Sequence, residues 1–365
     1  MALQAVGNGA FGLPDLRSTA QGQIPDLTPR IRIVIQLIAI QMHWSPQDGS
    51  SPAAFIARMD GLMARAAERL DPREPALVAF PEDVGLLAAL AVLPPGLRHQ
   101  PTMAKAMAFA LRQRFLPALY HRLRHRVSWA RALLLAIQPR LVPLYLGTFS
   151  TLARKYRVVL VAGSAPLAAL PYPSGSHPET LRPRGPAVYN TAALFGPDGS
   201  LIGLQRKVAR IDLEGPQGLD LTAGSLEETR VFPTEAGRVG IAICLDAFAP
   251  ESPVRERLAH LGAEILVQPS ANPGPWTPEQ QADWLRGAWA ATVQEGRFAY
   301  AINPMMTGTL FDLAFYGQSA LIARDVNLAP GDRGYRDIGP LPGFLAVAQR
   351  DDSEEILVAR VPYPP

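Results

Sequence analysis

Only one cysteine, Cys244, stands among the 365 residues. A single thiol excludes an internal disulfide framework and a cysteine-based zinc site, and it fits a reducing compartment. Acidic residues are missing from one long stretch: none lies between Asp83 and Glu179. That interval holds twelve of the 35 lysines and arginines, from Arg98 to Arg157, and leaves 23 basic and 32 acidic residues elsewhere, a net of −9. The overall charge of +3 therefore conceals a strongly basic segment. Segregation of this kind marks a solvated basic face balanced by acids elsewhere, or a contact with an anionic partner.

A secretory start is lacking as well. "MALQAVGNGAFGLPDLRSTAQGQ" has no basic beginning and no long apolar block, and residues 1–30 read as a loose extension. No uninterrupted apolar run reaches membrane length. "RIRIVIQLIAIQMHW" is short and carries two arginines and two glutamines. "WARALLLAIQPRLVPLYLGTF" comes nearer, but Arg131, Arg140 and two prolines interrupt it, and it reads as an apolar helix followed by a loop. The expectation is a soluble, cytoplasmic protein whose basic segment, residues 98–157, is its route to any anionic or membrane surface. Beyond charge, no motif points to nucleic acid. His121 and His125 have the i, i+4 spacing of zinc ligands, but no acid is near and the neighbouring arginines would repel a cation.

What is present is a 48% hydrophobic chain with helical and strand patterns in alternation. Ile31 to Gln41 is a buried-strand pattern. "SPAAFIARMDGLMARAAERL" follows with helical spacing and Ser51 before Pro52 as a start signal. "ALVAFPE" is a second strand ending at Pro81 and Glu82. Residues 86–150 are helical in composition and interrupted at Pro117. The patterns then predict a strand at "VVLVAGS", a hairpin around Gly-Pro-Asp-Gly, and a strand pair ending in "RVGIAIC". Short helices follow at "PVRERLAHLGA" and "TPEQQADWLRGAWAATVQEG", with strands at "EILVQPSA", "RFAYAINP", "GQSALIARD" and "EEILVARVP". Hairpins among β-α-β units predict a mixed sheet covered by helices, an α/β protein with its domain over residues 31–365.

Three polar residues close apolar segments beside turns: Glu82, Lys207 and Cys244. Strand ends are where α/β sheets bind ligands. A carboxylate accepts a thiol proton, an ammonium stabilises a thiolate, and the two together make a cysteine a nucleophile. From spacing alone, Cys244 reads as an inert core thiol and Lys207 as a surface cation.

The motifs around them resemble the nitrilase, or carbon–nitrogen hydrolase, superfamily. The matching stretches are "LVAFPEDVG", "GLQRKVARIDL" and "GRVGIAICLDAFAPESPVRERLAHLGAEILVQPSA", in the family order Glu, Lys, Cys and within a likeness over residues 31–360. The resemblance implies a four-layer α-β-β-α sandwich with mixed sheets, in a homodimer or higher homo-oligomer, acting on a small-molecule amide with no metal or organic cofactor. It implies that Cys244 attacks the substrate carbon and that Glu82 moves protons. Lys207 and the Leu245 N–H would hold the oxyanion. Glu214, seven residues after the lysine, is the candidate second glutamate, and Leu245, Asp246 and Asn272 are expected to face substrate.

Departures from the family pattern bear on specificity. Ala209 stands where histidine is common, and Cys-Leu-Asp replaces the Cys-Trp-Glu of nitrile-cleaving members. Glu295 and Gly296 end an altered "WAATVQEGRF". The expected substrate is thus an amide or carbamoyl compound, with acyl transfer to an amine as the alternative. The basic helical stretch, about 86–150, reads as an insertion that serves as a lid, a subunit contact or an anchor on an anionic surface. A binding protein that uses this stretch is the reading from another class.

Overall fold

Alternation along the first strand sets the layering. A computed structural model of the chain describes residues 34–171, 181–248, 250–329 and 331–364. In it β1 (Val34–Trp44) sends Ile38, Ile40 and Met42 into one core and Ile35, Leu37 and Ala39 into another. Both faces of the strand are therefore covered, as a nearly continuous apolar run requires.

Strands β2 (Ala76–Ala79), β3 (Val159–Ala168), β4 (Val188–Phe195) and β5 (Leu201–Arg206) extend the sheet from β1. β1, β2 and β3 run parallel, whereas β4 and β5 form the antiparallel hairpin expected at Gly-Pro-Asp-Gly. The second sheet contains β6 (Val231–Thr234), β7 (Gly237–Ile241) and β8 (Ile265–Val267). The chain returns to the first sheet with β9 (Ser270–Ala271) and supplies the second with β10 (Tyr300–Asn303). β11 (Met305–Leu310) and β12 (Leu313–Phe315) make an edge hairpin beside β1. β13 (Ala320–Ala323) and β14 (Phe344–Val347) complete the second sheet, and β15 (Glu355–Pro362) pairs antiparallel with β1. The result is a nine-stranded and a six-stranded mixed sheet, packed face to face through Leu37, Val161, Leu194, Ile241 and Val267.

Helices α1 (Pro52–Ala67), α2 (Val84–Ala91) and α5 (Trp129–Tyr156) cover the outer face of the first sheet. α6 (Val254–His260) and α7 (Pro278–Trp284) cover the second. Between α2 and α5 lie α3 (Met103–Gln113) and α4 (Phe115–His125). The expected four layers are present, and all described residues belong to one unit, Ile33–Pro365. The proposed extension, residues 1–30, lies outside the described residues.

Several local expectations are corrected. Pro117 does not break a helix: it sits in the first turn of α4, where its missing N–H is harmless, and the break is at Arg114. The helix-and-loop reading of 129–149 also fails, because α5 continues through Pro139 and Pro143 for 28 residues. Each interior proline costs about 3 kcal/mol. Burial of Leu141, Tyr145, Leu146, Phe149 and Leu152 at about 1.5–3 kcal/mol each outweighs that, and the Tyr145 hydroxyl donates to Ala162 O at 2.9 Å. α5 is long and apolar enough to cross a membrane by composition, yet 67% of its apolar 18-residue stretch is buried inside this protein. The helix expected over 277–296 stops at Trp284 and resumes as one π turn at Ala290–Gln294. The buried Gln268 side chain inserts there and accepts from the Ala288 N–H at 2.8 Å.

The basic segment is partly compensated across the fold. Arg131 pairs with Asp220 at 2.9 Å and Lys155 with Asp60 at 2.6 Å. α4 differs: Phe115, Leu116, Tyr120 and Leu123 are exposed, at 46%, 75%, 61% and 70%.

Candidate active site

Glu82 is carried past the end of β2 by a tight turn. The Phe80 N–H still donates to Val161 O of β3, and the chain then bends through Pro81 and Glu82 to Asp83, at φ 63°. The turn lies directly on Gly163, also left-handed at φ 68°, where a Cβ would fall 2.0 Å from the Pro81 carbonyl oxygen. Only glycine fits that approach. The Asp83 N–H is fixed by the Ser164 hydroxyl at 3.0 Å.

Lys207 follows the last residue of β5, and its N–H donates to Asn190 O of β4. Its ammonium lies 2.8 Å from Glu82 Oε1 and 2.9 Å from Glu214 Oε2, and all three side chains are nearly inaccessible to solvent. The fold thus brings Glu214 to the lysine, on a short 3₁₀ turn (Asp212–Glu214) where its carboxylate also accepts the Ile211 N–H.

Asn190 is the residue that sequence reading missed. Its Nδ2 donates to Glu82 Oε1 at 3.0 Å and to Glu214 Oε1 at 2.8 Å, so one amide aligns both glutamates. The signal was an asparagine in an otherwise apolar strand pattern, "VYNTAALF". The Ala271 N–H donates to the other oxygen, Glu82 Oε2, at 3.1 Å.

Cys244 stands three residues past β7, at the start of a 3₁₀ turn (Cys244–Ala247), with φ 48°. A left-handed conformation is strained for any residue with a Cβ and is concentrated at functional sites. Here it makes a sharp elbow between β7 and the turn. The Cys244 N–H is anchored on Pro269 O at 2.9 Å, and the thiol interacts with the Glu82 carboxylate. Among the described residues, the Leu245 N–H has no backbone acceptor.

Burial dominates the electrostatics. It pushes the Cys244 thiol well above its ordinary range; the Glu82 charge adds to this, and Lys207 opposes it. Burial likewise raises Glu82, against the pull of Lys207 and with the Glu214 charge reinforcing it. For Lys207, burial favours the neutral amine, but the charges of Glu82 and Glu214 outweigh it and hold the ammonium firmly protonated. A neutral thiol thus rests beside a carboxylate with raised proton affinity and a permanent cation. That arrangement can pass one proton from sulfur to carboxylate and stabilise an oxyanion.

Asp246 and Asn272, expected to face substrate, have their side chains committed to backbone. Asp246 accepts the Val208 and Ala209 N–H groups at 3.0 and 2.7 Å, tying the segment after Lys207 to the Cys244 turn. Asn272 donates to Gly274 O and Tyr316 O. Leu245 is half-buried against the inter-sheet core.

Burial raises the Asp246 pKa to about 7, in spite of its two amide donors and Lys207. The folded state therefore favours the protonated acid. Its contribution to stability is complete below about pH 4, near the unfolded value, and is lost as pH rises through about 7. The Asp246→Asn variant has no such charge to bury. Its Tm relative to wild type should climb between about pH 4 and pH 8 in thermal melts; parallel Tm curves would reject a buried carboxylate that ionises in this window.

Comparison with known proteins agrees with this fold. The carbon-nitrogen hydrolase family profile matches residues 39–334. The omega-amidase of Saccharomyces cerevisiae is 32% identical over a stretch covering 33% of this chain and 38% of that protein. The citrullinase of Francisella tularensis is 29% identical over 52% of this chain and 62% of its own length. The matches therefore span about two fifths to three fifths of these relatives. A mutant of the amidase from Nesterenkonia sp. AN1, carrying the acetamide moiety of fluoroacetamide on its active site cysteine, superposes with a TM-score of 0.55. That match has 18% identity and covers 91% of this chain and 90% of the other, a likeness of fold. With the profile spanning most of its length and both sheets in place, the chain belongs to the carbon–nitrogen hydrolase family.

Proposed function

We propose that this protein is a thiol-dependent amidohydrolase that cleaves a non-peptide C–N bond of a linear amide or carbamoyl compound. The observation that carries the reading is the buried Lys207 ammonium held between Glu82 and Glu214, with the buried Cys244 thiol within the electrostatic reach of all three. Cys244 Sγ attacks the carbonyl carbon while Glu82 takes the thiol proton. Lys207 and the Leu245 N–H stabilise the oxyanion. Glu82 returns the proton to nitrogen, the C–N bond breaks, and ammonia or an amine leaves a thioester. Water, deprotonated by Glu82, then releases the acid and restores the thiol. Glu214 and Asn190 position Glu82 and Lys207.

Relatives named as an omega-amidase and a citrullinase support an amide or carbamoyl carbon as the point of attack. Mass spectrometry of protein quenched during turnover tests the scheme. An acyl group on the peptide containing Cys244 is expected, and hydroxylamine should remove it. Turnover with no adduct, even at rapid quench, and undiminished in Cys244→Ala, would sink the scheme.

A second reading concerns location, and α4 favours it. Four exposed apolar side chains share this short helix with the exposed Arg124, and Arg112 and Arg126 flank it. No acid occurs from residue 84 to 178. Apolar side chains ringed by arginine complement an anionic lipid surface. We infer that α4 docks there. Co-sedimentation with phosphatidylglycerol vesicles, weakened by salt and absent with phosphatidylcholine, is expected. Leu116→Ser with Leu123→Ser should abolish it. No co-sedimentation, or a dimer that those two changes dissolve, would overturn this docking.

A further inference from the structure

A cavity of about 70 Å³ begins at Glu82 and Glu214 and lies among α2, α3 and α5. Its wall on α3 is Met103, Ala106, Met107 and Ala110, the i, i+3, i+4, i+7 set of one helix face. The β11–β12 hairpin adds Phe311 and Phe315. Of the twenty-five lining residues only Glu82, Asp83 and Glu214 are charged, and none is Lys, Arg, His, Ser, Thr, Asn or Gln. So small a volume against so wide a lining is a thin slot. An open groove adjoins it. Met103, Met107, Leu133 and Leu219 line both the slot and an open groove of about 430 Å³ that includes Leu111 and Trp129.

Away from the carboxylates of Glu82, Asp83 and Glu214, a charged or hydrogen-bonding substituent would lie in this slot without a partner and bear its full desolvation cost, and an anionic one would also be repelled by them. An unbranched methylene chain gains by leaving water there. Cys244 does not itself line the slot, but Glu82, its proton acceptor in the reading above, does; we propose that the substrate is a primary amide of a linear, uncharged acyl chain, with its carbonyl between Cys244 and Glu82 and its chain running past Glu82 into the slot. This rests on the amide-cleaving reading above. Attack of Sγ on R–CO–NH₂ forms the C–S bond, and the C–N bond breaks as ammonia leaves with a proton from Glu82. Water then cleaves the C–S bond to give the linear acid and the thiol.

The test is kcat/KM, by ammonia release, over acetamide, butanamide, hexanamide and octanamide, together with the six-carbon amide that ends in a carboxylate. Each added methylene should raise kcat/KM about three- to fourfold until the slot is full. The carboxylate-ended amide should trail hexanamide by ~100-fold or more. Ala106→Phe, which fills the slot, should lower the octanamide-to-acetamide ratio. A flat series, or preference for the carboxylate-ended amide, overturns the proposal and leaves amide cleavage standing. Preference for N-octylacetamide over octanamide also overturns it, because the chain would then belong to the amine.

Calorimetry with the Cys244→Ala protein measures the slot without turnover. Octanamide should bind at least ~10-fold tighter than acetamide, and equal binding overturns the proposal. If wild type cleaves no amide at all, the cleavage reading fails while calorimetry still decides the slot.

Discussion

Replacing Cys244 with alanine should lower kcat by at least ~10⁴-fold, on the scale seen when a covalent nucleophile is removed, with the Tm shifted by no more than a few degrees. The two halves of this expectation have separate causes. The sulfur is the atom that forms the bond, and no other nucleophile sits at the elbow. The protein contains no second cysteine to substitute for it. The fold, by contrast, uses Cys244 mainly through its backbone: the N–H bonded to Pro269 O and the φ of 48° are both available to alanine. Alanine also retains the Cβ, so the strain of the left-handed turn is unchanged. Steady-state ammonia release and a thermal melt on the same preparation check both halves. Activity within tenfold of wild type would remove Cys244 from the chemistry. A large loss of Tm would make it a structural thiol.

Lys207→Met should be damaging in both respects. The ammonium neutralises Glu82 at 2.8 Å and Glu214 at 2.9 Å in a site closed to water. Without it, two carboxylates aligned by Asn190 face each other unpaired. Removing one partner from a buried ion pair costs about 3–5 kcal/mol. Part of that cost is avoided if one glutamate takes up a proton, so the loss should be smaller at low pH and larger at high pH. Loss of the oxyanion's cation should also reduce kcat by ~10²–10³-fold. Denaturant unfolding at two pH values measures the first effect and steady-state kinetics the second. Stability equal to wild type across that range would show that the lysine is not needed to neutralise the cluster. Comparison with Cys244→Ala is informative, because one variant stops chemistry in an intact fold and the other disturbs the charge balance that shapes the site.

Glu82, Lys207 and Cys244 come from three distant parts of the chain, yet each was legible as a polar residue closing an apolar segment. "FPE", "QRKV" and "AICLD" carried that signal locally, and the mixed sheets followed from hairpins interleaved with β-α-β units. Asn190 was not legible. One asparagine inside an apolar strand has no periodicity to announce it, and its importance comes only from facing Glu82 and Glu214 at once. Asp246 was noticed, but its work was not. It lies two residues from Cys244 in sequence, and its partners are the amides of Val208 and Ala209, thirty-odd residues away. The prolines of α5 were misread for a related reason. Local propensity counts their cost, while the compensation lies in burial against β3 and its neighbours.

Motif resemblance pointed to the family, and by itself the sequence determined most element types, the order Glu, Lys, Cys and the presence of one basic, acid-free segment. These are properties of local pattern, because hydrophobic period and strand-end polarity are written within a few residues. Tertiary structure alone decided that Lys207 is shared by two glutamates and that Asn190 aligns them. It also decided that Cys244 turns through a left-handed elbow and that three helices direct apolar faces into one slot beside the carboxylates. Those are relations between side chains far apart in the chain. Their energies depend on distance and on exclusion of water, and neither exists until the layers close.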